Sequence, residues 1–270
     1  MVVQHNLTAM NANRQLSGVT SAQAKSTEKL SSGYRINRAA DDAAGLSISE
    51  KLRSQIRGLD KAASNSQDGI SLVQVAEGAL NETHSILQRM NELATQAAND
   101  TNTSTDRDSI QKEMDQLTSE IDRIRSTTQF NSMNLLDGTF KNMKLQVGAL
   151  SGQSIVISID NMNASSLKIS GLKVSSFSSA GKAMAAIQKA INSVSVQRSK
   201  LGAIQNRLEH TINNLNTTSE NTSAAESRIR DVDMATEMVE YSKNNILAQA
   251  GQSMLAQANQ ATQGVLSLLQ

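Results

Sequence analysis

Apolar residues recur at alternating steps of three and four over long stretches of this chain, and none of its 270 residues is proline. Such spacing places apolar side chains along one stripe of an α-helix and is typical of helices that pack against a partner helix. Two stretches show the pattern most clearly: Val73, Ala76, Leu80, Thr83, Leu87, Met90, Ala94 and Ala97, and then Ile110, Met114, Leu117, Ile121 and Ile124. The polar residues 99–108 between them predict that these two helices fold back as an antiparallel pair.

The C-terminal half repeats the pattern. One apolar seam consists of Ile187, Ile191, Val194, Arg198, Leu201, Leu208, Ile212 and Leu215, in which Arg198 is a charged interruption; a second consists of Leu247, Gly251, Met254, Ala258, Ala261, Val265 and Leu268. The N-terminal seam is weaker, because Val3, Leu7 and Met10 are out of phase with Leu16, Val19 and Leu30. A helix with so narrow an apolar stripe is marginal by itself, so we expect the N-terminal helix to need a partner.

Strand signals occur only in the middle of the chain. The segments MKLQVGA (143–149) and SIVISID (154–160) contain alternating or β-branched residues and predict a hairpin that turns at Ser151 and Gly152. The stretch that follows is rich in Ser, Gly and Asn, which predicts loops. The predicted fold class is therefore mainly α: a long antiparallel, coiled-coil-like helical rod formed by both chain ends, with a small β-hairpin region in the middle.

The composition excludes several classes of function. The net charge is +1 without a block of like charges, so the sequence has no basic surface for nucleic acid. There is no cysteine, and His5, His84 and His210 lie far apart without a potential metal ligand three or four residues on. No apolar run approaches the ~20 residues that span a membrane, and the N-terminus lacks the pattern of a cleaved secretory signal. We therefore expect no enzyme activity, cofactor, metal, nucleic acid or membrane span.

The stretch RINRAADDAAGLSISEKL sets two arginines against the adjacent carboxylates of Asp41 and Asp42. It can be interpreted as a charged catalytic pocket or as a joint between two helices. Adjacent helical residues point about 100° apart, so the two carboxylates cannot grip one substrate atom, which favours the joint. Gly33 predicts the end of the preceding helix, 47–50 has the spacing of a capping box for the next one, and Arg38 is spaced to pair with Asp42.

The segment GYRINRAADDAAGLSIS resembles the N-terminal signature of bacterial flagellins, the building blocks of the flagellar filament. Further segments match that family in the family's order: LQRMNELATQAAN, SEIDRI, TTQFNSMNLLDG, LGAIQNRLEHTINNL, SRIRDVDMATE and ILAQAGQSMLAQANQATQGVLSLL. Together they cover almost the whole chain apart from about 141–179, which resembles the family's variable region in a shortened form. The chain departs from common relatives at Arg38 and Ala40, and at 261–263, where relatives commonly carry a proline.

The resemblance implies a domain organisation. The terminal helices, 1–41 with 231–270, would form a discontinuous inner-tube domain, and 42–230 would form a helical rod domain that includes the hairpin and the shortened variable region. The joint between these domains would consist of Arg35, Asn37, Asp41, Asp42, Gly45, Arg228, Asp231 and Asp233. The C-terminal residues implied in polymerisation and chaperone binding are Leu247, Met254, Val265, Leu266, Leu268 and Leu269.

The resemblance also implies a function and partners. The chain would be secreted and would polymerise into the extracellular flagellar filament for swimming motility. Its partners would be other copies of itself, a flagellar export chaperone, the type III export apparatus, the filament cap and junction proteins, and the host Toll-like receptor for flagellin. Gln88, Arg89, Leu93 and Glu113 would contact that receptor or the next subunit. The alternative is a hook–filament junction protein of the same superfamily, although the continuous match over 87–129 favours the filament subunit.

Overall fold

The computed structural model describes residues 6–267 and the side chains of residues 6–261. The described residues form five helices, namely α1 (Leu7–Ser32), α2 (Ala43–Ala97), α3 (Ser104–Thr127), α4 (Phe177–Arg230) and α5 (Met234–Ser267). Four short strands lie between α3 and α4: β1 (Gln129–Phe130), β2 (Met133–Asn134), β3 (Met143–Gln146) and β4 (Ser154–Ile157). The predicted fold class, mainly α with a small β region, is confirmed.

The described residues divide into two compact units. The terminal unit contains the described residues up to Ser54 and those from Asn221 onward, and the central unit is Gln55–Glu220. The boundaries fall at Ser54 and Asn221, whereas the resemblance placed them near 41 and 231. The hydrophobic core clusters of the described residues lie in the central unit, whereas the buried apolar residues described in the terminal unit are Ile36 and Ala248.

The predicted start of the second helix is wrong. Helix α2 begins at Ala43, where the Asp42 carboxylate accepts a hydrogen bond from the Gly45 amide at 2.8 Å. Ser49, predicted to lie in a capping box, is instead fully buried inside the helix and donates to the Glu226 carboxylate at 2.9 Å. The cap therefore lies several residues earlier than its sequence signature suggested.

In the central unit, α2 and α3 form the predicted antiparallel pair. The chain turns between Ala97 and Ser104, and Thr103 caps α3 with a reciprocal capping box to Asp106. Most apolar seam residues of both helices are buried in one core together with those of α4 up to Leu201, and Leu117 and Ile124 pack against this core partly buried. Thr83, the polar position in the α2 seam, is buried and donates to the Ala79 carbonyl at 3.0 Å, so its hydroxyl is satisfied.

Helix α4 differs from its predicted seam at one point. Gln197, rather than Arg198, is the buried polar residue, and its amide donates to the Ser158 carbonyl at 3.2 Å. Arg198 lies at the edge of the core, 3.7 Å from the Glu77 carboxylate. The interruption is thus a neutral hydrogen-bonding side chain, which is less costly to bury than a guanidinium.

Two hairpins are present. Strands β3 and β4 pair in antiparallel fashion from Met143–Ile157 to Gln146–Ser154, which confirms the predicted hairpin, and Gly152 in its turn has a φ of +88°. The second hairpin, β1–β2, was not predicted from sequence. Its two-residue turn is Asn131-Ser132, with φ values of +48° and +62°, a conformation that Asn tolerates better than most residues.

The loop-rich stretch after β4 is packed rather than exposed. Six of its apolar residues are buried in the core of the central unit: Ile159, Met162, Ala164, Leu167, Ile169 and Val174. Side chains of α3 hold its backbone, because Asp122 accepts from the Ala164 amide at 3.0 Å and Gln111 accepts from the Val174 amide at 3.0 Å. These buried amides are satisfied without regular secondary structure.

In the terminal unit, α1 and α5 pack side by side in antiparallel orientation. Asn6 donates to the Ala258 carbonyl at 3.0 Å, Leu16 lies against Gly251, and Lys29 pairs with Glu237 at 3.3 Å. The predicted seam is wrong at Leu7, Met10, Leu247 and Met254, which are all exposed. The less exposed stripe of α1 runs through Ala9, Ala12, Leu16 and Val19 instead, and that of α5 runs through Asn244, Ala248, Gly251 and Leu255.

Candidate assembly and contact surfaces

The segment after α1 is tied to the segment before α5 by backbone hydrogen bonds. Gly33 ends α1 in the left-handed conformation, with a φ of +75°. The Arg35 amide then donates to the Arg230 carbonyl at 2.6 Å, and the Val232 amide donates to the Gly33 carbonyl at 3.1 Å. These bonds form an isolated antiparallel bridge between Tyr34 and Asp231. The two predicted halves of the joint are therefore brought together, and both lie within the terminal unit.

Side chains reinforce this bridge. The Arg35 guanidinium donates to the Ile229 carbonyl at 2.5 Å. The Arg230 guanidinium lies 4.6 Å from the centre of the Tyr34 ring and 3.1 Å from the Glu50 carboxylate. Because the Arg230 side chain is only 14% exposed, it contributes packing as well as charge. Sequence reasoning missed Tyr34, Glu50 and Arg230, whose only signal was their proximity to the joint residues.

Both adjacent aspartates serve the backbone, which supports the joint over a catalytic carboxylate pair. The Asp41 carboxylate accepts from the amides of Arg38 at 3.0 Å and Asn37 at 3.3 Å. These hydrogen bonds, chiefly that from Arg38, hold the pKa of Asp41 below its usual value. Asp42 caps α2, as described above. The predicted Arg38–Asp42 pair is wrong, since Arg38 pairs with Glu28 at 2.9 Å.

Gly45 packs closely against two neighbouring side chains. A methyl group placed on it would overlap the Asp42 carboxylate and lie 2.8 Å from the Ile36 side chain. Ile36 is 2% exposed and is the apolar anchor of the segment. Asn37 joins the end of α1 to the joint by donating to the Ser32 hydroxyl at 2.9 Å.

On the C-terminal side, two of the three predicted residues make structural contacts. The Asp233 carboxylate caps α5 by accepting from the amides of Ala235 and Thr236 and from the Thr236 hydroxyl, and these bonds lower the pKa of Asp233. Asp231 accepts from the Ser227 hydroxyl at 2.6 Å. Arg228 is exposed and makes none of the contacts described for the joint.

The four residues predicted for receptor contact are not all on the surface. Arg89 on α2 reaches Glu113 on α3 at 2.9 Å and Glu92 at 3.2 Å, and the two hydrogen bonds raise the pKa of Arg89. Gln88 is exposed and lies 3.1 Å from the His84 ring. Leu93 is only 2% exposed and belongs to the core, so its predicted place on a contact surface is wrong. The exposed salt bridge between Arg89 and Glu113 therefore lies at the centre of the remaining predicted contact surface.

Helices α1 and α5 carry large apolar side chains outside their mutual contact. Val239 and Ile246 are 70% and 67% exposed and lie seven residues apart, hence on one face of α5. Leu247 and Met254 occupy a second face, and Leu7 and Met10 are exposed on α1. We call these six residues the terminal apolar surface. Val265, Leu266, Leu268 and Leu269 lie outside the described side chains.

Two further kinds of functional feature, a metal-binding cluster and a membrane-spanning helix, can be assessed for the described residues. Between residues 6 and 261, no cluster of three or more His, Asp or Glu side chains is placed to hold a metal ion. The helices in the described part of the chain include none that is long and apolar enough to cross a membrane. Apart from Arg228, the charged groups assigned to the joint make the capping, pairing and hydrogen-bonding contacts given above.

Comparison with known proteins extends these observations. A family model for the bacterial flagellin N-terminal helical region matches residues 3–141, and one for the bacterial flagellin C-terminal helical region matches residues 184–269. The chain is 56% identical to a flagellin of Halalkalibacterium halodurans and 53% identical to a flagellin of Bacillus subtilis, and each match covers 100% of both proteins. It also resembles the crystal structure of Bacillus cereus flagellin, with 35% identity, a TM-score of 0.52, and coverage of 60% of this chain and 94% of that one. The chain therefore belongs to the bacterial flagellins, a family of structural proteins that form the extracellular flagellar filament.

Proposed function

We propose that this chain polymerises into the flagellar filament through the terminal apolar surface, and so serves swimming motility. The observation that carries this proposal is the exposure of six large apolar side chains on α1 and α5, whose mutual contact leaves these side chains uncovered. A helix that is apolar on several faces normally lies buried among other helices. Among the described residues, helix α1 is the helix that packs along α5.

Burial of the terminal apolar surface between subunits would contribute a large favourable free energy to polymerisation. Complete burial of a Val, Leu, Ile or Met side chain stabilises by about 1.5–3 kcal/mol. Since these side chains are already partly covered, each would contribute roughly 1–2 kcal/mol, or about 6–12 kcal/mol for the six before the cost of association. Contacts between different faces of identical subunits generate a helical fibre when the rotation from one subunit to the next does not close a ring.

A pair of matched variants tests the proposal. Val239→Ser with Ile246→Ser removes apolar area from the face of α5, whereas Gln252→Ser with Gln257→Ser changes exposed polar residues of the same helix. After addition of filament seeds, electron microscopy should show elongation by the wild type and the glutamine variant, and little elongation by the apolar variant. Normal elongation by the apolar variant, at unchanged helix content in circular dichroism, would refute the proposed surface.

The same assay separates the filament subunit from the alternative of a hook–filament junction protein. A filament subunit adds repeatedly to a seed, so filaments lengthen with time and concentration. A junction protein would bind the end of a seed without lengthening it. The full-length identity to two flagellins favours repeated addition.

We further propose that Gln88, Arg89 and Glu113 contact the host Toll-like receptor for flagellin. Their exposed polar atoms on neighbouring positions of α2 and α3 support the proposal. Arg89→Ala should reduce signalling in a receptor reporter assay. Arg123→Ala is the matched control, since Arg123 is similarly exposed and pairs with Glu120 on α3. Equal signalling by both variants would remove Arg89 from the receptor surface.

The chain would bind an export chaperone and leave the cell through the type III export apparatus. It would then be placed beneath the filament cap, between the junction proteins and the subunits that are added later. We propose that the chaperone covers α5 and the residues beyond it, with Leu247 and Met254 in the contact. Their exposure in the isolated subunit supports this assignment. Leu247→Ser with Met254→Ser should weaken chaperone binding in a calorimetric titration, and an unchanged affinity would contradict the assignment.

A further inference from the structure

Methionine side chains are distributed unequally between the two units. In the central unit, Met90, Met114 and Met162 are buried, with at most 4% of each exposed. In the terminal unit every described methionine is exposed: Met10 by 64%, Met234 by 48%, Met238 by 49% and Met254 by 61%. All four lie on α1 or α5, the helices to which we assign assembly.

Exposure decides which thioethers react with peroxides. In that reaction the methionine sulfur attacks one peroxide oxygen, the O–O bond breaks and an S–O bond forms, and the second oxygen leaves as water after proton transfer. The sulfur loses two electrons and the peroxide gains them. The chain has no cysteine, so exposed methionines are its most readily oxidised sulfur atoms.

We propose that Met10, Met234, Met238 and Met254 form an oxidation site that controls entry of the subunit into the filament. The inference rests on the proposed function. Oxidation converts an apolar thioether into a polar sulfoxide that an apolar interface cannot satisfy. Met10 lies three residues from Leu7, and Met254 lies seven residues from Leu247, so each sulfoxide forms within the terminal apolar surface. Met234 and Met238 extend this chemistry to the first turns of α5.

Assembly and oxidation then exclude each other. Neighbouring subunits cover the four thioethers in the filament, so the filament is protected at positions where the free subunit reacts. Because methionine sulfoxide is reversible by enzymatic reduction, a blocked subunit remains recoverable. Met133 and Met143, which are 39% and 41% exposed in the central unit, react in the free subunit without blocking assembly.

The test uses the full chain and hydrogen peroxide. Free subunits and filaments are exposed to peroxide, sulfoxide at each methionine is quantified by peptide mass spectrometry, and seeded elongation is measured afterwards. One variant combines Met10→Leu, Met234→Leu, Met238→Leu and Met254→Leu; the control combines Met133→Leu and Met143→Leu. In free subunits the four exposed methionines should react at least about tenfold faster than Met90 and Met114, and this difference should shrink in filaments.

The elongation results decide the proposal. Peroxide should abolish elongation by the wild type and the control variant but not by the fourfold leucine variant. Methionine sulfoxide reductases of both stereospecificities should restore the lost elongation. Normal elongation by wild-type subunits that carry the four sulfoxides, or equal loss in the fourfold variant, would overturn this inference alone. Failure of untreated wild-type subunits to elongate seeds would overturn the proposed function and this inference with it.

Discussion

Gly58→Ala should loosen the contact between the β3–β4 turn and helix α2. A methyl group on Gly58 would lie 2.9 Å from the Ala149 side chain and 3.3 Å from the Ala149 Cα atom. The second atom belongs to the backbone, so no rotation of a flexible side chain can relieve the overlap. The turn must move away from α2, and the small cluster of Leu59, Ala62 and Leu215 beneath it is uncovered in part.

Two opposing effects set the magnitude. Replacement of Gly by Ala in a helix interior stabilises by about 1 kcal/mol. Insertion of a methyl group into a packed contact costs about 1–3 kcal/mol. Gly78→Ala in the same helix is the matched control, because no atom lies within 4 Å of the added methyl group. The free energy of unfolding of Gly58→Ala should therefore fall about 1–3 kcal/mol below that of Gly78→Ala.

Urea unfolding followed by circular dichroism measures this difference. Amide exchange gives a second measure at Leu150 and Gln153, whose amides are hydrogen-bonded inside the turn. Both amides should exchange faster in Gly58→Ala than in Gly78→Ala. If the two variants unfold at the same urea concentration and protect the turn equally, the close approach at Gly58 does not constrain the hairpin.

Three further changes test other contacts. Gly45→Ala should destabilise the terminal unit by about 1–3 kcal/mol in thermal unfolding because the added methyl group meets Asp42 and Ile36; Gly18→Ala, which meets nothing within 4 Å, is its control and should be neutral or stabilising. The pKa of the capping residue Asp233 is lowered in the folded state, so the stabilisation by this cap is complete above the usual pKa of Asp and is lost as pH falls through the lowered value. Asp233→Asn should therefore flatten the acid dependence of stability followed by circular dichroism. An unchanged profile would contradict the assigned cap. Thr83→Val should raise the free energy of unfolding by roughly 0.5–1 kcal/mol, since a buried hydroxyl is replaced by a methyl group and the Ala79 carbonyl keeps its helical partner. A lower free energy of unfolding in urea would show that the hydroxyl is needed.

Prediction from the sequence was most successful where a local pattern suffices. The three-and-four spacing predicted the helices, and the β-branched alternation with Gly152 predicted the β3–β4 hairpin with its turn. It failed where two neighbouring stripes of one helix are both partly apolar. Leu93 is buried because α2 packs against α4 as well as α3, a contact marked by the hydrogen bond from Thr95 to the Met184 sulfur at 3.3 Å.

The helices at the two ends of the chain show the same difference between what the sequence predicts and what the tertiary structure decides. Sequence alone determined that α1 and α5 are amphipathic and proline-free, and that polar signals surround the joint, because these properties follow from the order of residues along one helix. Only the tertiary structure decided that Ala9 and Ala12 face α5 while Leu7 and Met10 face outward, and that Arg230 rather than Arg228 covers Tyr34. Successive helical residues point about 100° apart, so adjacent stripes look alike in a sequence, and the packing of a second helix selects between them.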